Sequence, residues 1–400
     1  MVEFRNRAVF TSYSFFNSLI FPSDKADFFT DWFRFEPRSA SNCSFSFYIY
    51  DSIIYGTSDL NISQFTVTPY SIPFVKPLQT SGNNYTHRDG VWLNLKWKNY
   101  SGWGEAAPLT GFSEEVLKEV HYSLEGFHQA IDGEIVEKDE LFSLATVHTQ
   151  GNPSACFAIE TALYDLLSQK EGKPLSLYLN PHAHTEIAVN GITGVHMPGD
   201  GFKLMKIKVG LRNIFDQIEQ MEMLTQSFGE NTLFRLDANG AFDLPQAIRF
   251  CKEMEAFNID YIEQPLPAED LVDLAELSYH TEIPIAVDES LTDFISAEKI
   301  VEEQAANVFI IKPMISGGFR ESGRIIQLAR NENIRAVITS SLETSIGRLA
   351  CLHLAAANEI TEACGLATGE LLNEDTDTSS IENGMIHVPD IPGVGIKLLD

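Results

Sequence analysis

The run LMKIKVG at Leu204–Gly210 is followed by LFRLDANG at Leu233–Gly240, YIEQP at Tyr261–Pro265, IAVDES at Ile285–Ser290 and FIIKP at Phe309–Pro313. Each run is short, apolar and rich in strand-forming residues. Each carries charged residues toward its end, and a segment of helical pattern follows it. That rhythm predicts a parallel (β/α) barrel, a fold whose chemistry gathers where the strands end. The residues Lys208, Asp237, Glu263, Asp288 and Lys312 recur about every 25 residues, the length of a short βα unit.

Working outward, EIAVNGI precedes these runs, and RAVITSSL and CGLATG follow them, which makes eight strands. Helices are expected at DLPQAIRFCKEMEAF, RESGRIIQLARN and SIGRLACLHLAAA. Right-handed crossovers then close a (β/α)8, TIM-type barrel over residues 186–370. Residues 63–185 read as an α+β capping domain. FTVTPYSIPF and VWLNLKW are its strands, TSGNNYTHRDG and EAAPLTGFS its lid loops, and helices start near Ser113 and Pro153. Residues 371–400 are expected to run back over that domain.

Residues 1–62 are rich in Phe, Ser and Tyr and lack helix or strand periodicity. Two expectations stand side by side. The segment is sequence upstream of the true start, or it is an extension whose aromatics pack on the capping domain or a second subunit. Met1 is the only methionine before Met197, so a shorter product would need another start codon. On either view a chain starting near Ile62 is the informative truncation.

The formal net charge of −28 argues against a nucleic-acid or anionic-membrane surface. Cys43, Cys156, Cys251, Cys351 and Cys364 are scattered without a pairing pattern, as in a cytoplasmic protein with reduced thiols. No run is long enough to span a bilayer, and no basic-then-apolar leader opens the chain. The expected partner is a small carboxylate; the oligomeric state stays open.

An ionised carboxylate at the end of a buried strand is costly unless paired or bound to metal. Asp237, Glu263 and Asp288 from three successive strands therefore suggest an oxygen-only site for a hard cation, best Mg²⁺, with Mn²⁺ as a substitute. Taken singly, each could instead cap the next helix. Lys206 and Lys208 are two apart on one strand and share a face. Side by side and buried, they should depress each other's pKa until one of them serves as a base near neutrality. Lys312 faces them from a later strand. Arg235 shares the face of Asp237 and is expected to reach the substrate. Asn239 is expected to hold Asp237 in place. Gln264 and Glu289 should point away as supporting residues, and Thr339, Ser340 and Ser341 could bind a substrate carboxylate before a helix start. His353 reads as a core histidine.

In order and spacing, KIKVG, RLDAN, IEQP, VDES and IIKP resemble the enolase superfamily, and within it the muconate-lactonizing-enzyme subgroup, over about residues 64–370. The resemblance implies an enolase-like barrel with Mg²⁺ on Asp237, Glu263 and Asp288. It implies Lys208 as the base, Lys206 beside it and Lys312 on the opposite face. A Lys or His base working with Mg²⁺ is the general pattern of that superfamily. AVITSSLETSIG, GLATGELL and GWGEAAPLTGFSEE are most similar to the o-succinylbenzoate synthase family of menaquinone biosynthesis. That likeness implies a lyase that removes water from a succinyl-bearing hydroxycyclohexadiene carboxylate to form an arene.

Other readings are a dipeptide epimerase or N-acylamino-acid racemase, for which two facing lysines would also serve. A Schiff-base lysine barrel would not need the three acids. A non-catalytic scaffold would be expected to have lost a ligand or a lysine.

Overall fold

The computed structural model describes residues 59–79, 84–109, 111, 113–373 and 380–396. The extension expected over residues 1–62 therefore lies almost wholly outside the described residues, as does Cys43.

A short strand β1 (Asp59–Leu60) pairs antiparallel with β5 (Val136–Glu137). Beside them β2 (Gln64–Gln79), β3 (Asn84–Trp97) and β4 (Tyr100–Ala106) form an antiparallel sheet. β2 lies on its edge, where Pro69, Pro73 and Pro77 cost no interior ladder bond. In β3 the alternate residues Val91, Leu93, Leu95 and Trp97 are buried, which turns that face toward helices α1 (Leu117–Ile131), α2 (Lys138–His148) and α3 (Pro153–Lys170). α3 presses Ala158 and Ala162 onto Gly104 and Gly102 of β4. A β-carbon on Gly104 would collide with the Ala158 carbonyl oxygen. α1 starts at Leu117 rather than Ser113 because the Glu115 carboxylate turns away to cap α3, accepting the Ser154 N–H at 3.1 and 3.3 Å.

The short helix α4 (Leu175–Leu179) leads to β6 (Glu186–Ala188), and strands then alternate with helices. The series runs β7 (Gly191–Ile192), β8 (Leu204–Lys208), α5 (Ile214–Phe228), β9 (Leu233–Asp237), α6 (Leu244–Met254), β10 (Ile259–Glu263), α7 (Leu271–Ser278) and β11 (Ile285–Val287). It continues through α8 (Phe294–Glu302), β12 (Val308–Ile311), α9 (Pro313–Ser316), α10 (Phe319–Asn331), β13 (Arg335–Ile338) and α11 (Ser345–Ala357). Strands β7 to β13 make one parallel sheet in sequential order. α6 illustrates the outer ring: Ala247, Phe250, Cys251 and Met254 form its buried stripe, and Asp243 and Gln246 cap its start reciprocally.

The two ends of the expected strand series differ from the expectation. EIAVNGI is split. β6 pairs antiparallel with β15 (Met385–His387), which pairs with β14 (Ile381–Glu382), and only β7 joins the barrel. CGLATG is reduced to single bridges, Cys364 to Val189 and Gly365 to Thr339. Those bridges still carry ladder bonds on both sides, Cys364 N to Ala188 O at 2.7 Å and Gly365 N to Ile338 O at 2.9 Å, and so they close the ring. Beyond β15 the chain reaches α3 and α4: Val394 N donates to Asp165 at 2.8 Å and Leu175 N to Gly393 O at 2.9 Å.

Inside the barrel, Tyr261, Ala286, Val308, Ile310 and Val337 form a cluster of their own. Their neighbours Ile262, Ile285, Val287, Phe309, Ile311 and Ile338 belong to the main core under the helices. The period of two therefore aims Glu263, Asp288, Lys312 and Thr339 inward, in line with Tyr261, Ala286, Ile310 and Val337. His353 is fully buried. Its Nδ1 accepts the Ser176 N–H at 3.1 Å, and burial lowers its pKa to about 4. Among the described residues no helix is long and apolar enough to cross a membrane, and Cys156, Cys251, Cys351 and Cys364 are unpaired and buried.

Candidate active site

Neighbouring strands bring the acids and lysines into one group at the carboxyl end of the barrel. In register, Lys208 lies beside Asp237 and Asp237 beside Glu263. Lys206 Nζ sits 3.0 Å from Asp237 and 2.7 Å from Glu263. Lys312 Nζ sits 2.5 Å from Asp288. Asp237, Glu263 and Asp288 are only 5, 1 and 6% exposed, so their charges are held out of water. Lys208 is exposed at the mouth, and no hydrogen bond or ion pair engages its ammonium among the described residues. Ile207 between the two lysines is buried in the opposite direction, as alternation requires.

The electrostatics differ from the expectation for Lys206. Burial alone would lower its pKa, but Asp237, Glu263 and Asp288 overcome that and hold it well above the ordinary lysine value. Lys312 is raised in the same way, burial being outweighed by Asp288 and Glu289. Glu263 is pushed up, by burial first and then by Asp237 and Asp288, against the pull of Lys206. Beside these acids Lys206 is held as a cation.

The donor set fits a hard cation. It contains oxygen alone, and Asp237 Oδ1 and Glu263 Oε2 are buried with no hydrogen-bond partner. Among the described residues no three His, Cys, Asp or Glu side chains are drawn into a closed ligand cluster. The reason is visible in the contacts: the Lys206 ammonium bridges two of the acids and Lys312 takes the third.

Three supporting residues lie elsewhere than expected. Arg235 does not reach the mouth. It is 1% exposed, and its guanidinium donates to Asp260 (2.9 Å), Asn190 (3.0 Å) and the Ala363 carbonyl (2.6 Å), stacked over Tyr261. Asn239 holds Glu289 rather than Asp237, with Nδ2 to Oε1 at 2.9 Å. Glu289 does not point away, because β11 ends at Val287 and alternation ends with it. Its Oε2 is buried and unpartnered beside the site. Gln264 is fully buried and works on the backbone. Its Oε1 accepts Asp288 N at 3.0 Å and Ser290 N at 3.1 Å, which fixes the turn that presents Asp288.

The hydroxyl segment ends β13 next to Lys312. Thr339 N bonds Ile311 O, and its Oγ1 donates to Gly365 O at 3.1 Å. Ser340 Oγ meets Thr368 Oγ1 at 2.8 Å, so Thr368 joins the group although its sequence context singled it out only as strand. Ser341 N donates to Glu343, and Ser341 Oγ is buried without a partner. Sequence reading also missed Arg88, Trp92 and Glu105, which reach this segment and Thr344 at its end from the capping sheet. Pairs separated by 239 to 254 residues leave no local signal.

Residues 196–400 match the enolase C-terminal domain-like family, and residues 62–166 match the MenC N-terminal domain family. The chain is 30% identical over 348 residues to an N-succinylamino acid racemase of Thermus thermophilus, covering 82% of this chain and 92% of the relative. It is 27% identical over 356 residues to an o-succinylbenzoate synthase of Geobacillus stearothermophilus, covering 84% and 93%. The structure superposes on a dipeptide epimerase from Enterococcus faecalis V583, complexed with Mg and the dipeptide L-Leu-L-Tyr. The TM-score is 0.77 at 25% identity, over 85% of this chain and 100% of that one.

Proposed function

The chain belongs to the enolase superfamily, in the subgroup like the muconate-lactonizing enzymes, and we propose that within it the protein is an o-succinylbenzoate synthase. Racemases, epimerases and a dehydrating synthase all stand among its relatives. What distinguishes these reactions is how many bases they need. The observation that carries the proposal is the inequality of the two lysines. Lys208 is exposed and, among the described residues, unengaged, whereas the Lys312 side chain is only 13% exposed and is bound to Asp288 at 2.5 Å. One mobile ammonium and one fixed positive charge suit a dehydration run from a single face. Racemisation would ask both lysines to exchange protons.

Asp237, Glu263 and Asp288 would hold Mg²⁺, which Mn²⁺ could replace, and the bound ion would draw charge from the substrate carboxylate and make the adjacent hydrogen acidic. Lys208 takes that proton at Nζ. Lys312 answers the growing negative charge across the ring from a fixed position. Lys208 then returns the proton to the departing hydroxyl on the same face, and the products are water and the aromatic ring. Thr339 and Ser340 are already bonded to Gly365 and Thr368, which leaves the Ser341 hydroxyl, without a partner, to meet the succinyl arm. The carboxylate of that segment, Glu343, already accepts the Ser341 N–H at 2.8 Å. That commitment weighs against a dipeptide, whose ammonium needs a free anion.

The racemase reading keeps a place because the relative at 30% identity acts on N-succinylamino acids. The deciding experiment gives the Mg²⁺-supplied enzyme three substrates in parallel: the succinyl-bearing hydroxycyclohexadiene carboxylate, N-succinylamino acids and dipeptides. Aromatisation followed by ultraviolet absorbance, with far slower change of optical rotation in the other two, is the expected result. Racemisation outrunning aromatisation would overturn the proposal.

A further inference from the structure

The segment Ser340–Thr344 ends β13 next to Lys312, yet what shapes it comes from the capping sheet. Arg88 on β3 is 1% exposed, and among the described residues no carboxylate meets it at bonding distance. Its fork instead donates to Leu342 O at 2.9 Å and Ser341 O at 3.2 Å on the barrel side. On the capping side it donates to Pro108 O at 3.1 Å and to Ala107 O. Glu105 on the adjacent strand β4 is fully buried and takes the other end of the same segment. It accepts Thr344 N at 2.9 Å, Thr344 Oγ1 at 2.7 Å and Gly347 N at 2.8 Å, and so caps α11. Trp92 Nε1 donates to Thr344 Oγ1 at 3.2 Å, and Tyr70 donates to Glu105.

Between these two grips Leu342 stands at φ 65°, which a residue with a side chain holds only when its surroundings impose it. Beside it the Ser341 hydroxyl is buried and unpartnered. A cation that gathers carbonyls and an anion that gathers amides therefore fix opposite ends of one short segment, with the lid loop at Ala107–Pro108 fastened to it.

We infer that Arg88 and Glu105 are positioning residues through which the capping sheet sets the shape of Ser340–Thr344, and with it which substrate the barrel accepts. Neither touches the reacting atoms. The inference rests on the proposed function only in taking this segment as substrate-facing. A guanidinium fork reaching five carbonyls, that of Asp89 on its own strand included, is not reproduced by an ammonium, which has no second arm.

The test uses the Mg²⁺-supplied full chain and two variants. Arg88→Lys keeps the charge and loses the fork. Thr344→Val keeps the volume and loses the hydroxyl between Trp92 and Glu105. Hydrogen exchange is expected to accelerate at residues 107–109 and 341–344 in both variants and to stay unchanged in β9 to β12. Steady-state kinetics on whichever substrate the wild type turns over fastest should lose on the order of 10- to 100-fold in kcat/KM, mostly as a rise in KM.

Unchanged exchange at both segments overturns the inference, since the grips would not hold the loop. Faster exchange with an unchanged KM also overturns it, since the loop would not meet the substrate. If Arg88→Lys fails to fold, Thr344→Val decides by the same two outcomes. The exchange measurement needs no substrate, so its result stands apart from whether the dehydration reading holds.

Discussion

Replacing Glu160 with glutamine should flatten the pH dependence of stability. Glu160 lies in the middle of α3, is 1% exposed, and accepts the Arg320 N–H at 3.1 Å, so it caps α10 of the barrel from the capping domain. Burial pushes its pKa from 4.5 to about 7, and the bonds to α10 only partly oppose this. A folded-state value above the unfolded one means that the native state holds the proton more tightly. Its stabilising contribution is therefore complete below pH 4.5 and is lost as the pH rises through about 7. At 1.36 kcal/mol per unit, that rise corresponds to about 3 kcal/mol. A glutamine there keeps the shape and one oxygen to accept the amide, and it does not titrate. Urea unfolding at constant Mg²⁺ should show wild type and Glu160→Gln alike near pH 4, and the variant more stable by about 3 kcal/mol near pH 8. Parallel curves, with the gap the same at both ends, would refute the reasoning. Glu115 and Asp165, raised to about 7 and about 6 by the same cause, should remain as a residual slope in the variant.

Three further outcomes follow from the site and the seam. Lys208→Ala should lose about 10²- to 10⁴-fold in kcat while binding Mg²⁺ in a titration calorimeter as the wild type does; near-normal turnover would remove Lys208 from the proposed chemistry. Chelation should abolish turnover, and added Mg²⁺ should raise the melting temperature of the wild type but not of Asp237→Asn; equal rises in both would mean that Asp237 holds no ion. Gly104→Ala should lower stability by about 1–3 kcal/mol in denaturant, because its β-carbon meets the Ala158 carbonyl; an unchanged midpoint would show that α3 can move aside.

Much of the barrel was legible because its code is local. Short apolar runs with a charge at the end of each identified β8 to β12, and the run RAVITSSL identified β13. Alternation along the strands aims Asp237, Glu263, Asp288 and Lys312 into one interior. The two ends of the strand series were less legible. β6 leaves the barrel for β15, and the Cys364–Gly365 strand survives as two bridges, outcomes set by pairing partners and not by the runs themselves. The seam was not legible at all. Arg88 in TSGNNYTHRDG and Glu105 in EAAPLTGFS read as loop residues, yet they stand on β3 and β4, and the fold brings them against Ser341–Thr344.

Arg235 carries the sharper lesson about what periodicity encodes. Its face was read correctly, since it does share the interior with Asp237. Its height in the barrel was not, because a period of two gives a side chain's face and says nothing of its level along the strand. Asp260, at the register shift between Ile259 and Tyr261, takes the guanidinium of Arg235. Arg335 donates to the same carboxylate at 2.7 Å. Tyr261 lies beneath both guanidinium groups, which stack over its ring. Two charged groups thus line the barrel beside the apolar cluster of Ala286, Val308, Ile310 and Val337. In one, two arginines meet Asp260 and Glu362, and the charges are paired in number. In the other, Asp237, Glu263, Asp288 and Glu289 outnumber Lys206 and Lys312, and one oxygen each of Asp237, Glu263 and Glu289 is buried without a partner. Charge balanced in number is what a structural group needs, and excess negative charge is what a site for a cation needs. The distinction turns on who pairs with whom across strands, and it is the reason Arg235, balanced by Asp260, stays with the scaffold while the acids at the strand ends stand as the candidate cation site.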